Sequence, residues 1–64
     1  VLFVPALLRE FRHRRALSQD ELADLAGVSR TTVIKLEAGL RQPRPKTLRK
    51  LARALKVKLT DLMQ

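Results

Sequence analysis

Four side chains in GVSRTTVIKLE, residues 27–37, have the types and spacing to read a base-pair edge: Arg30, Thr31, Ile34 and Lys35. Arginine or lysine can donate to the O6 and N7 atoms of guanine. Threonine can donate or accept, and an aliphatic side chain can pack on the thymine methyl group. At about 100° per residue, Val33 and Leu36 share one side of a helix, as buried positions do. Thr31, Ile34 and Lys35 fall on the other side, with Ala38 among them and Arg30 at the border where the helix begins. The apolar pair anchors the helix and leaves one contiguous polar face, with a single isoleucine in it, free of core duty. Ile34 fits thymine contact and simple surface exposure equally well.

Little else in the chain suggests chemistry of another kind. There is no cysteine, so no disulfide, thiolate metal site or thiol nucleophile is available. His13 lies on the outward face of its helix without a second histidine to share a metal. The six carboxylates fall at helix starts or at Glu37, and no Ser–His–acid or paired-carboxylate arrangement emerges. Neither an enzyme nor a cofactor is expected.

The 64 residues suffice for one domain, residues 1–64, and its size makes stability marginal unless packing is efficient or the chain oligomerises. Formal net charge is +8, with a pI near 11.5, which favours a polyanionic partner, chiefly nucleic acid. The charge is uneven. Residues 1–32 hold five Lys/Arg against four acids, and residues 33–64 hold nine against two. No apolar run approaches the roughly 20 residues needed to span a bilayer. Pro5 interrupts VLFVPALL without a basic stretch before it, so a signal peptide is not expected and a cytoplasmic location is.

The elements that position the reading face follow from caps and periodicity. A first helix runs from Pro5 or Ala6 to about Arg15, with Leu8, Phe11 and the stem of Arg15 on its inner face and Arg12 at the edge. Ser18 and Glu21 form a capping box that starts a second helix, Gln19 to about Ala26. Its inner side is read as Leu22, Leu25 and Ala26, with Ala23 allowing close approach. Gly27 stops that helix, Val28 anchors the turn, and Ser29 caps a third helix ending near Gly39. Pro43 and Pro45 set a loop. A fourth helix from Pro45 to Leu55 buries Leu48, Leu51, Ala52 and Leu55, and a short fifth runs from Leu59 to Met63. A three- or four-residue joint around Gly27 holds its two helices at a steep angle, so residues 19–38 read as a helix-turn-helix inside an all-α, five-helix domain. The apolar extension 1–4, VLFV, either covers the core or pairs with its counterpart in a second chain. Its lack of an initiator methionine also permits a trimmed fragment.

LSQDELADLAGVSRTTVIKLEAG, together with QPRPKTLRKLARALKV, resembles the lambda-repressor-like (Cro/Xre) helix-turn-helix family, and the similarity extends from about Leu8 to Leu62. The resemblance implies a compact five-helix fold that binds operator DNA, typically as a two-fold dimer. It implies that Arg30, Thr31 and Lys35 face bases with Ile34 nearby. Gln19 would touch a phosphate and buttress Arg30, while Ser29, Thr32, Arg41 and Arg44 lie near phosphates. Glu37 matches a family glutamate that pairs with a first-helix arginine, here Arg12. Ala16 and Lys56 stand where the family often has glycine, so those helix ends are expected to be built differently. Of the fourth-helix cations, Lys46 is best placed for a phosphate; Arg49, Lys50 and Arg53 read as a solvated stripe.

The expected function is sequence-specific binding of double-stranded DNA by a small bacterial or phage transcriptional regulator, chiefly a repressor. A homodimer on a near-palindromic operator is expected, because one short helix reads few base pairs. Leu59, Leu62 and Met63 are candidate dimer contacts, or simply close the core. The alternative is a protein-interaction module, either an antitoxin with a toxin partner or an adaptor. Membrane-surface binding is weaker, since the apolar side of the fourth helix is needed for the core.

Overall fold

The computed structural model describes residues 2–64, leaving Val1 of the apolar extension outside the described residues. They form four α-helices, α1 (Pro5–Arg14), α2 (Gln19–Ala26), α3 (Arg30–Glu37) and α4 (Pro45–Leu55), then one 3₁₀ turn, Leu59–Leu62. The expected fifth helix is therefore this single turn. Four residues with i→i+3 bonding cannot develop an α-helical ladder, and Met63 leaves the turn in an extended conformation. It does so to meet the N-terminal segment. Phe3 and Met63 form an antiparallel bridge, Leu2 and Gln64 exchange two 2.8 Å backbone hydrogen bonds, and the Val4 N–H donates to the Leu62 carbonyl at 3.0 Å. Residues 2–4 thus pair within their own chain and bury Phe3.

The core is centred on Leu8, Leu22, Val33, Leu36, Leu51, Leu55 and Leu62, all essentially inaccessible. α2 packs on α3 and α4, while α1 packs on α3 and the 3₁₀ turn. Two inner-face assignments need correction. Leu25 is 60% exposed, because α2 turns Leu22, Ala23 and Ala26 inward and the two alanines let it approach its neighbours. In α1 the buried pair is Leu8 and Arg12, whereas Phe11 is half-buried and Arg15 exposed. Phe11 still packs against the edge of the core, as its inner-face position requires, and its ring also lies under the Arg14 guanidinium, whose carbon is 5.0 Å from the ring centroid.

Each helix end repeats one device. A residue with positive φ is followed by an apolar residue whose N–H reaches the carbonyl five positions back. The pairs are Ala16–Leu17, Gly27–Val28, Gly39–Leu40 and Lys56–Val57, with reaches to Arg12, Ala23, Lys35 and Ala52 at 2.9–3.1 Å. This is the Schellman closure, which satisfies carbonyls left over at a helix end. Ala16 and Lys56 adopt it at φ 54° and 57°, so the expectation that these ends are built differently is overturned. Their backbone bonding outweighs a left-handed penalty of about 1 kcal/mol each.

Candidate nucleic-acid interface

α3 begins at Ser29, whose hydroxyl accepts the Thr32 N–H at 3.1 Å. It is placed by the joint at Gly27, where φ is 72°. A Cβ added there would meet nothing within 4 Å, so the demand for glycine is torsional and not steric. Val33 and Leu36 are fully buried against α2 and the core. Arg30, Thr31, Ile34 and Lys35 are all exposed, the apolar Ile34 at 38%. The four side chains therefore share one outward face of α3.

The far end of α3 is fixed by a buried charge network. Glu37 accepts from Arg12 Nε at 2.7 Å and Arg12 Nη2 at 2.9 Å, with the two side chains only 3% and 11% exposed. Such a bidentate fork is the strong form of the arginine–carboxylate contact. Arg12 Nη1 donates to the Leu17 carbonyl at 2.9 Å, and Arg9 donates to the Glu37 carbonyl. The Glu37 hydrogen bond raises the Arg12 pKa above its ordinary value, partly opposed by burial. No buried side-chain nitrogen or oxygen among the described residues lacks a partner. α1 and the C-terminal end of α3 are thereby locked together.

The same network settles where Gln19 points. Its side-chain amide donates to Glu37 Oε1 at 3.1 Å, facing inward rather than buttressing Arg30. The residue beside Arg30 is Asp20, whose Oδ1 lies 3.1 Å from Arg30 Nε. Periodicity within one helix carries no signal for that pairing, since it crosses the turn between two helices.

Thr32, Arg41 and Arg44 come together in an open cleft between α3 and the loop leading to α4, with Gln42 and Thr47 as additional polar members. Thr47 was not anticipated; its position one turn into α4 is the only sequence signal for it. Neither Arg41 nor Arg44 pairs with a carboxylate among the described residues. An anion held there would meet two uncompensated guanidinium groups and hydroxyl donors. Ser29 and Thr32 also share a 2.7 Å hydroxyl–hydroxyl contact. Ser29 and Lys46 are exposed but lie outside the cleft lining. Leu62 is buried in the monomer and so is unavailable as a dimer contact, because the 3₁₀ turn directs it into the core. Leu59 and Met63 instead line an apolar groove with Leu2, Pro43 and Pro45.

Among the described residues, no helix is long and apolar enough to cross a membrane, and no group of three or more His, Cys, Asp or Glu side chains is placed to hold a metal.

The HTH-type transcriptional regulator RghRB of Bacillus subtilis is 46% identical over 57 residues, covering 88% of this chain and 41% of that protein. The chain thus spans about two fifths of that relative's length. The restriction-modification controller protein C.AhdI of Aeromonas hydrophila has a similar structure, with a TM-score of 0.89, 37% identity and coverage of 92% of this chain and 89% of that one. SinR, a master regulator for biofilm formation whose structure was solved in complex with DNA, superposes with a TM-score of 0.90 at 26% identity, covering 94% of this chain and 100% of that one. The profile of the helix-turn-helix family matches residues 8–62, the span that holds all four helices but the first turn of α1 and also the charge network. By that match and by its architecture, the chain belongs to the helix-turn-helix family, in its lambda-repressor-like form.

Proposed function

We propose that this domain binds double-stranded DNA sequence-specifically as the reading unit of a transcriptional regulator, with α3 in the major groove. The observation that carries the reading is the exposed face of Arg30, Thr31, Ile34 and Lys35, which has no packing role while its opposite side is fully buried. Phosphate contacts from Arg41, Arg44 and Thr32 fix the register, with Ser29 and Lys46 as further candidates, and side chains of α3 then select bases. Bound over a promoter in the cytoplasm, such a domain excludes polymerase and acts as a repressor. Two copies related by a two-fold axis, meeting at the groove beside Leu59 and Met63, read half-sites about 10 bp apart or a multiple of it.

Selection from a random duplex library tests this directly. The parental protein should enrich a near-palindrome, and Arg30→Ala and Lys35→Ala should each relax one position by about 1–3 kcal/mol. Unchanged preference in both variants removes α3 as the reader. Absence of any preference at moderate salt points instead to a protein-interaction role for the fold.

A further inference from the structure

We propose that Asp20 is a positioning residue that orients Arg30 to select guanine; this rests on α3 lying in the major groove. Asp20 is the second residue of α2 and Arg30 the first of α3, and the short joint brings these two helix starts to the same surface. Arg30 Nε lies 3.1 Å from Asp20 Oδ1. A guanidinium is a rigid planar fork with five N–H donors. A carboxylate 3.1 Å from the Nε edge biases how that plane turns and leaves the outward pair of terminal N–H groups without a partner among the described residues. That pair matches the O6 and N7 acceptors of guanine.

Asp20 is available for this task because neighbouring groups already do the others. The α2 N-terminus is capped reciprocally by Ser18 and Glu21, at 3.0 Å and 2.8 Å. Gln19 is held on Glu37. Both partners of the Asp20–Arg30 pair are 64% exposed, so in free protein the contact is weak and screened. DNA that excludes water from the pair strengthens it. The pair also carries no net charge. Arg30 then contributes donor geometry and little counterion release, leaving net phosphate neutralisation to cations without a carboxylate partner such as Arg41 and Arg44.

The test measures affinity across a salt series for the selected duplex and its variants at the Arg30-dependent position. The proteins compared are the parent, Asp20→Ala, Asp20→Asn, Asp24→Asn and Arg30→Ala. Asp24 is an exposed acid of the same helix in no ion pair among the described residues, which makes it the control for charge alone. The expected results are a guanine at that position and about a tenfold loss of its discrimination in Asp20→Ala. Non-specific binding should tighten, and the slope of log K against log salt should steepen by about one. Asp20→Asn retains an acceptor oxygen and should lose less discrimination, while Asp24→Asn keeps it all. A merely structural role for Asp20 would move neither the base preference nor the salt slope. If Arg30→Ala abolishes the preference but Asp20→Ala and Asp20→Asn leave it intact, the buttress is wrong and groove reading stands. An equal loss in Asp24→Asn, or selection of a base other than guanine, also overturns it. A parent with no preference at all overturns groove reading together with it.

Discussion

Replacing Glu37 by alanine should bring the domain to the edge of unfolding. The change removes two hydrogen bonds to Arg12, at 2.7 Å and 2.9 Å, and the acceptor of the Gln19 amide. Arg12, with its side chain 11% exposed, keeps only the Leu17 carbonyl as a partner. Removing one partner of a buried ion pair costs about 3–5 kcal/mol, chiefly because the surviving charge stays buried. A domain of this length has a total stability of about 3–10 kcal/mol. The loss is therefore about three tenths of the total at the least. With two phenylalanines and no tryptophan or tyrosine, unfolding is best followed by far-UV circular dichroism in urea. At about 1 kcal/mol per molar for so small a chain, the midpoint should fall by about 3 M or more. Glu10→Ala supplies the contrast: it breaks an exposed i,i+4 pair with Arg14, worth about 0.3–0.5 kcal/mol. If the two variants shift the midpoint equally, the Arg12–Glu37 pair does not hold α1 to α3. An apolar double replacement, Arg12→Met with Glu37→Met, should recover much of the stability, since no buried charge is then left unpaired.

Other perturbations probe different parts of the molecule. Lys56→Gly should stabilise the domain by about 1 kcal/mol, raising Tm by about 4–8 °C, because φ there is 57°; Gly27→Ala should lose a similar amount through torsion alone. The Glu21 carboxyl is held below its ordinary value of 4.5, first by the Ser18 N–H and then by the Ser18 side chain. Its contribution is complete above that ordinary value and fades as pH falls through the lower folded-state value, so the Tm difference between parent and Glu21→Gln should close in acid. Arg41→Ala and Arg44→Ala should each weaken binding evenly across DNA sequences and flatten the salt slope by about one; an unchanged slope removes that residue from the phosphate contacts.

What was legible in the chain was whatever rests on nearest neighbours along a helix. Ser18 and Glu21 sit three apart and form their capping box, and Gly27 takes the left-handed turn that glycine advertises. The outward face of α3 was legible for the same reason, since Val33 and Leu36 define its opposite. Four features were harder to read, each for a physical cause. Arg12 is buried because a partner 25 positions away neutralises it, and no local pattern announces that partner. Leu25 is exposed because two alanines, not a leucine, set how closely α2 can pack. Ala16 and Lys56 close their helices left-handed although only glycine signals that geometry in sequence. The stronger local mark was the apolar residue that follows, present as Leu17, Val28, Leu40 and Val57 at all four ends. The fifth element stayed a single turn because Leu62 and Gln64 give their backbone to the N-terminal segment, a pairing some sixty residues distant. Asp20 belongs with these, and more sharply. Its place beside Arg30 follows only from the angle at Gly27, so the same turn that sets the exposed face of α3 outward also brings a carboxylate to the first side chain on it.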